Sequence, residues 1–453
     1  MRWQRTANCG EQCPTPRPNE SADCSTSAAT LAAPPTSTSV AFKHTRAGCL
    51  SRAGWIRRRP VRSDAGRPTS AWPFAFSKLY RPQDPFPRVP PVLSAGPTML
   101  QAVITTIQQP TDCVLRLASA LAGTEAGLVI AGDTKGPTEF DLSTVQQFSP
   151  EQLSFLSIDD QLASDFSLTP HLPTKHYCRK NLGYLHAMRL GATCIYETDD
   201  DNAPIENWKP REQWINGLRF VTAAVDDQPR WVNVYKCFSD GLIWPRGLPL
   251  DRIGDALTMG DAPETSLSTA ADETGKYWAP IQQGLANGAP DVDAVWRLVL
   301  DREFDFEDRA SVMLAPGQWC PFNTQTTWWW PAVFPLLYVP SYCSFRMCDI
   351  WKSFVAQRCL WELGTGVVFH APEVVQERNP HNLMRDFEDE VPGYLRNHEL
   401  VQILEDVSLQ QGPEAVGPNL RACYAALIDR DIFPEKEMQL IDAWLSDVPA
   451  EPA

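Results

Sequence analysis

From residue 101 onward, short apolar runs alternate closely with an amphipathic helical pattern. Residues 101–107 are rich in β-branched side chains and predict a buried strand, and Pro110 and Thr111 then open a helix with one apolar side. Residues 127–131 and 153–158 predict two further strands. Short right-handed crossovers between such strands return the chain in the same direction. The alternation therefore predicts an α/β domain with a parallel sheet, in which ligands bind beyond the carboxyl ends of the strands.

The two ends of the chain differ sharply in charge. Residues 1–98 contain 14 Lys and Arg against 5 Asp and Glu, whereas residues 99–453 contain 26 against 50. The first segment also holds 14 of the 40 prolines, so we expect a disordered basic arm ahead of an acidic globular body. The arm has the composition of a transit peptide, or of an extension upstream of a start at Met99. The acidity of the body argues against a nucleic-acid partner.

The apolar content of the chain predicts a packed core and no membrane span. The longest apolar stretch, residues 328–339, contains two prolines and is shorter than the roughly 18 residues that a span requires. The cysteines of the body form no C-x-x-C pair, so no structural zinc site is predicted, and we expect them to be small buried side chains. Residues 350–445 predict a mainly helical C-terminal region.

Three consecutive aspartates follow the most regular of the predicted units. Residues 175–190 predict a helix, and the strand predicted at 192–197 runs directly into Asp199, Asp200 and Asp201. Neighbouring carboxylates repel unless a cation binds there. Mn²⁺ or Mg²⁺ takes carboxylate oxygens and keeps positions open for phosphate. Alternation along an extended chain points Asp199 and Asp201 the same way, which makes them the predicted metal ligands. A solvated turn is the alternative interpretation.

Basic residues precede the aspartates in a position that suits phosphate binding. Lys175 and Arg179 lie one turn apart on the predicted helix, with Lys180 beside them, and would offset the charge of a diphosphate. Three polar residues near the carboxyl ends of the strands complete the predicted donor site: Asp133, Asp200 and Asn202.

Several longer blocks carry a resemblance to a known family. They include residues 180–185 (KNLGYL), 195–202 (IYETDDDN), 244–250 (WPRGLPL), 290–294 (PDVDA) and 376–379 (QERN). These blocks, spread over residues 100–397, resemble the STELLO family of Golgi glycosyltransferases. The resemblance implies a GT-A-like fold, in which a mostly parallel sheet is flanked by helices. It also implies a nucleotide-sugar donor and a metal-binding Asp-x-Asp, which Asp199 and Asp201 match.

A second group of residues forms weaker candidates for the same chemistry. Asp349 begins an apolar helix and could deprotonate an acceptor hydroxyl, although a carboxylate also stabilises a helix start. Asp291 and Asp293 form another Asp-x-Asp, for which a turn and a helix cap are the alternative. Trp244 and Arg246 place a stacking ring beside a cation, with core packing as the alternative role of Trp244.

The acidic triplet and the resemblance to the STELLO family together imply a metal-dependent glycosyltransferase, which would move a sugar from a UDP-linked donor to a hydroxyl of a glycan or protein. The alternatives are a non-catalytic scaffold of a polysaccharide-synthesising complex and a metal-dependent nucleotidyltransferase. The predicted divisions are an arm (1–98), a GT-A-like domain (99–397) and a helical extension (398–453). The resemblance implies the Golgi, and the cytoplasm is the alternative because the sequence shows no signal peptide or anchor.

Overall fold

The computed structural model describes residues 99–449, apart from 224–228, 257–258, 262–270, 273 and 379–381. The predicted arm, residues 1–98, lies outside the described residues. The strands, in chain order, are β1 (Leu100–Thr105), β2 (Gly127–Ala131), β3 (Leu153–Leu156), β4 (Cys194–Thr198), β5 (Asn202–Pro204), β6 (Trp214–Ile215), β7 (Arg219–Ala223), β8 (Arg230–Trp231), β9 (Met259–Asp261), β10 (Tyr277–Trp278), β11 (Ile281–Gly288), β12 (Val312–Leu314), β13 (Gln318–Trp319), β14 (Thr326–Trp329) and β15 (Val368–Gln376). The helices are α1 (Asp112–Leu121), α2 (Ile158–Leu162), α3 (Lys180–Arg189), α4 (Ile253–Ala256), α5 (Ala294–Leu300), α6 (Cys348–Trp361), α7 (Leu383–Asp406), α8 (Val416–Asp429) and α9 (Glu437–Asp447).

One large sheet organises the described part of the chain. Its strand order is β3-β2-β1-β4-β14-β11-β15-β12-β7-β9, with β5 paired to the side of β15. Seven of these eleven strands run in the same direction, and β3, β2, β1 and β4 form a continuous parallel half. The predicted mostly parallel α/β fold is therefore confirmed.

Alternating side chains of β1 reach two different helical layers. Ala102 and Ile104 join the cluster that contains α1, whereas Val103 joins the cluster that contains α3. The hydroxyl of Thr111 accepts a hydrogen bond from the backbone of Val114 and caps α1, as its position before the apolar pattern predicts. The strands β1, β2 and β4 are almost entirely buried on both faces, which explains why they read as continuous apolar runs.

The C-terminal region is mainly helical, as predicted, but it contains one long central strand. β15 pairs in parallel with β11 and antiparallel with β12 in the interior of the sheet. The pattern of residues 368–376 does not alternate, because both faces of the strand are largely covered. The prediction of a mainly helical region did not include this strand for that reason.

The last helices pack on the same core as the sheet. Trp444 of α9 is fully buried, and its indole donates to the carbonyl of Pro335 (2.9 Å). Glu437 accepts from the hydroxyl of Tyr338 (2.6 Å). The predicted boundary between residues 397 and 398 falls inside α7. Within the residues described, no helix is both long and apolar enough to cross a membrane.

Candidate active site

The carboxyl ends of β1, β2 and β4 open onto a cleft of about 450 Å³, which α6 borders at its N-terminal end. Parallel strands end at one edge of a sheet, so residues distant in sequence converge there. Seven of the predicted site residues line this cleft: Asp133, Lys175, Asp199, Asp200, Asp201, Arg246 and Asp349. Six others do not line it: Arg179, Lys180, Asn202, Trp244, Asp291 and Asp293.

The carboxylate of Asp199 is held in place by the side chains of Tyr177 and Lys180. Its Oδ1 accepts from the hydroxyl of Tyr177 (2.5 Å) and from Lys180 Nζ (3.0 Å). The same ammonium group donates to the carbonyl of Thr198 (2.5 Å). A buried cation therefore orients this carboxylate at the end of β4 and offsets part of its charge.

Asp201 is oriented by the opposite side of the cleft. Its Oδ2 accepts from Gln376 Nε2 (2.9 Å), at the end of β15, and its Oδ1 accepts from Asn202 Nδ2 (2.9 Å). The predicted site residue Asn202 is thus a support for Asp201. Asp200 has a different partner, because its carboxylate accepts from the hydroxyl of Thr106, which follows β1.

The surroundings of Asp200 and Asp201 disfavour the charged forms of their carboxylates. Burial, together with the charge of Asp199, raises the pKa of Asp201 to about 7. Burial also raises the pKa of Asp200 above its ordinary value. Carboxylates that are desolvated against one another favour uptake of a proton or a cation. This is the electrostatic environment that a bound divalent cation would relieve.

A metal ion here would depend on few protein ligands. Across the described residues, no three His, Cys, Asp or Glu side chains are grouped so that they could hold a metal. Mg²⁺ in phosphate-binding sites typically uses one or two carboxylates and completes its shell with phosphate oxygens and water. Asp199 and Asp201 both face the cleft and influence each other's charge, so this donor set fits that chemistry.

The helix predicted at residues 175–190 begins five residues later, at Lys180. The backbone of His176 donates to Asp133 Oδ2 (3.0 Å), and the His176 ring accepts from the backbone of Cys178 (3.1 Å). These contacts produce a 3-10 turn ahead of α3 and leave Lys175 with a left-handed φ of 58°. The prediction that Lys175 and Arg179 share a helical face was therefore wrong.

The three predicted phosphate-binding cations have different environments. Lys175 is exposed and lines the cleft. Arg179 is fully buried, and its Nε donates to Gln161 Oε1 (2.8 Å). Lys180 is fully buried beneath Asp199. The exposed Lys135, which follows β2, also lines the cleft. In the described structure neither Lys135 nor Lys175 has an ion-pair partner, so both are available to an anionic ligand.

Arg246 and two carboxylates form a buried cluster at the α6 side of the cleft. Arg246 contacts both oxygens of Asp349 (3.0 and 2.7 Å) and both oxygens of Asp291 (2.7 and 2.9 Å). Burial raises the pKa of Asp349, although the guanidinium opposes that shift. Asp349 also lies in the first turn of α6, where a carboxylate stabilises the helix dipole. It is thus a fixed, cleft-lining carboxylate.

Trp244 and Asp293 have structural contacts away from the cleft lining. Asp293 caps α5 by accepting from the backbone of Trp296 (2.8 Å), as the alternative interpretation predicts. Its second oxygen accepts from the indole of Trp244 (2.5 Å).

Sequence reasoning missed several residues that line the cleft, among them Lys135, Tyr177, Phe345, Gln376 and Arg378. Gln376 ends β15, a strand that the sequence pattern does not reveal, so its contact with Asp201 was not foreseeable. Phe345 is 53% exposed, and its ring packs edgewise against Tyr177, with the ring centroids 6.1 Å apart. For Phe345, the only local signal in the sequence was the presence of an aromatic residue shortly before the start of α6.

The acidic triplet at the end of a central strand lies at the edge of the α/β sheet where ligands bind in folds of this kind. Comparisons with known proteins show what this chain is similar to. Residues 346–450 match the sequence profile of the STELLO glycosyltransferases. The chain is 27% identical over 315 residues to the probable glycosyltransferase STELLO2 of Arabidopsis thaliana, covering 65% of this chain and 39% of that protein. It is 28% identical over 333 residues to the probable glycosyltransferase STELLO1 of the same plant, covering 68% and 40%.

The resemblance to the STELLO glycosyltransferases predicted from the sequence is therefore confirmed. The matched region spans about two-fifths of the length of these curated relatives.

Proposed function

We propose that this chain is a metal-dependent glycosyltransferase that moves a sugar from a nucleotide-diphosphate donor to an acceptor hydroxyl. The observation that carries the proposal is the position of Asp199, Asp200 and Asp201. They lie at the end of β4, in the same cleft as Asp349 and the exposed side chains of Lys135 and Lys175. The relationship to the STELLO glycosyltransferases supports the same class of reaction.

Asp199 and Asp201 are the residues that would hold Mn²⁺ or Mg²⁺. When bound, the ion would neutralise the diphosphate and so improve it as a leaving group. Tyr177 and Lys180 keep Asp199 oriented toward the cleft, and Gln376 does the same for Asp201. This support lets the two carboxylates keep their directions without a ligand.

The donor would be bound by residues that follow β2 and by residues that precede α3. Lys135 and Lys175 are exposed cations on the cleft and would offset the phosphate charge. Asp133 connects the segment after β2 to the segment before α3, because its carboxylate oxygens accept from the backbone of Thr134 (2.6 Å) and of His176 (3.0 Å). Asp200 anchors the triplet, since its carbonyl accepts from the Thr111 hydroxyl that begins α1.

Asp349 is the proposed base. It would take the proton of the acceptor hydroxyl as the oxygen forms its bond to the anomeric carbon and the nucleoside diphosphate departs. Arg246 holds both oxygens of Asp349 in place and is therefore a positioning residue.

The test is nucleotide binding by the full chain, measured by calorimetry with UDP in the presence and absence of Mn²⁺. We expect Mn²⁺-dependent binding that Asp199→Asn or Asp201→Asn weakens at least tenfold. Asp308→Asn, at an exposed aspartate outside the cleft lining, serves as the matched control. Incubation with a panel of nucleotide sugars then follows nucleotide release and product mass.

Three outcomes would contradict the proposal. UDP binding that both substitutions leave unchanged would remove the assigned metal site. Binding without release from any donor would favour a scaffold. Release of pyrophosphate from a nucleoside triphosphate would favour nucleotidyl transfer.

A further inference from the structure

A second cavity of about 910 Å³ lies beside the candidate active site. Its walls come from the ends of β11 and β15, from α5, and from the connection at residues 301–305. Nothing in the proposed donor site uses this space. The cavity therefore needs its own explanation.

Two residues line both cavities, namely Gln376 and Arg378. Gln376 donates through Nε2 to Asp201, one of the proposed metal ligands (2.9 Å). Burial lowers the pKa of Arg378, while the charges of Asp291, Asp386 and Asp201 oppose that shift. The second cavity thus adjoins the active-site cleft at the proposed metal ligand.

Three buried polar atoms on the walls of this cavity lack hydrogen-bond partners within the described structure. They are Gln376 Oε1, Arg378 Nε and Arg297 Nη1. Arg297 is only 6% exposed, and its Nη1 lies 3.7 Å from Asp386 Oδ2, beyond hydrogen-bond distance. A buried polar group without a partner destabilises the folded chain unless a ligand or water satisfies it. The unmatched set contains one acceptor and two donors.

The charges around the cavity restrict the kind of ligand that fits. Three arginines and four carboxylates line it, so neither a strongly anionic nor a strongly cationic ligand is favoured. Hydroxyl groups both donate and accept, and can therefore satisfy the unmatched amide oxygen and the guanidinium nitrogens together. A neutral polyhydroxylated ligand suits this combination.

We propose that the second cavity is the acceptor site and that it binds a neutral saccharide. The acceptor hydroxyl would reach the active-site cleft past Gln376 and Arg378. The assignment as acceptor rests on the proposed function, whereas saccharide binding in the cavity does not.

The experiment tests saccharide binding by the full chain with no nucleotide or metal present. Saturation-transfer NMR is recorded with maltotetraose, cellotetraose, mannotetraose and xylotetraose. Ala289→Phe fills the cavity from its wall without touching the donor cleft, and Ala289→Ser is the matched control. We expect at least one tetrasaccharide signal to fall fivefold or more in Ala289→Phe and to persist in Ala289→Ser.

A second variant tests the same cavity independently, in case Ala289→Phe does not fold. Glu303 lines the cavity and is exposed, so Glu303→Ala removes a polar contact without disturbing the core. We expect it to weaken the same saccharide signal while Mn²⁺-dependent UDP binding is unchanged in every variant.

The outcomes separate the two proposals. The absence of any saccharide signal that depends on residues 289 and 303 overturns this inference, and water then fills the cavity. Saccharide binding in a chain that fails to bind UDP overturns the proposed function, and with it the role of acceptor site. In an active chain, Ala289→Phe should lower transfer to the saccharide more than hydrolysis of the donor.

Discussion

Lys175 and Lys180 lie five residues apart and have opposite environments. Lys175 is exposed on the cleft in a left-handed backbone conformation, and it has no ion-pair partner among the described residues. Lys180 is fully buried and holds Asp199 and the carbonyl of Thr198. A strained backbone is retained only where the surroundings enforce it, and such positions cluster at ligand sites. The same substitution at each of these two lysines should therefore differ in its effect on stability and on ligand binding.

Lys175→Met should leave the free energy of unfolding within about 0.5 kcal/mol of the parent chain, because an exposed side chain without partners is lost. The same change should weaken Mn²⁺-dependent UDP binding by about tenfold, or ~1.4 kcal/mol. Lys180→Met should instead cost about 2–4 kcal/mol of stability, since it leaves buried acceptors unmatched. Urea unfolding and calorimetry measure the two effects. Unchanged UDP affinity in Lys175→Met would argue against its assigned role.

Helix α3 lies unusually close to the sheet that carries the aspartates. A Cβ added at Gly183 would come within 2.8 Å of Val103 Cγ1 on β1. Nearly every residue of α3 is buried, so the helix cannot rotate to relieve such a contact. The glycine therefore sets the distance between the Lys180 support and the end of β4.

Gly183→Ala should destabilise the chain despite the better helix propensity of alanine. Overpacking costs about 1–3 kcal/mol, which exceeds the gain of about 1 kcal/mol from replacing a helical glycine. Gly417→Ala in α8 is the matched control, because its Cβ would meet Leu445 at an ordinary 3.4 Å. We expect that variant to be neutral or slightly stabilised in thermal unfolding. Equal shifts of the two melting temperatures would refute the packing argument.

His370 makes β15 sensitive to acid. Burial lowers the pKa of its imidazole well below 6.5, and the nearby charge of Arg211 acts in the same direction. The ring contacts Ser311 Oγ (2.7 Å) and Gln282 Oε1 (3.0 Å) as a neutral group. Below pH 6.5 the unfolded chain binds a proton that the native chain does not, so stability falls as the pH falls.

Replacement by glutamine removes this titration. Between pH 6.5 and 5.5 the parent chain should lose about 1 kcal/mol more unfolding free energy than His370→Gln. Urea unfolding at both pH values gives the difference directly. The readout is the change with pH, which is independent of the stability that the substitution itself costs. Parallel pH profiles would show that the imidazole of His370 has the same pKa in the native and unfolded chains.

At the scale of the whole molecule, the C-terminal helices and the sheet share one hydrophobic cluster. Leu440, Ile441 and Trp444 of α9 belong to the same buried set as Val103 and Ile195 of the sheet. The matched family segment also runs through this region to residue 450. The predicted extension from residue 398 is thus joined to the domain by its core.

A chain that ends at residue 397 should fail to fold. It would interrupt α7 and expose the surface that Trp444 and Tyr424 cover. Loss of several large buried side chains costs more than the typical 5–15 kcal/mol stability of a domain. Circular dichroism and urea unfolding of the truncated and full chains measure this. A cooperative transition in the truncated chain would show that residues 398–453 form a separable unit.

Local patterning was sufficient for β1, α1, β2 and the position of the aspartates. Each depends on neighbouring residues: apolar runs make buried strands, Thr111 caps a helix, and a triplet that follows a strand lies at its carboxyl end. These features survive folding because the interactions that produce them span only a few residues.

The partners of those aspartates were decided by tertiary structure. Gln376 reaches Asp201 from a strand 175 residues further along the chain, and Arg246 meets Asp349 across 103 residues. The burial of Lys180 and the exposure of Lys175 follow from where α3 begins, which Asp133 controls through His176. Such contacts depend on which strands become neighbours in the sheet, and no pattern confined to a few adjacent residues contains that information.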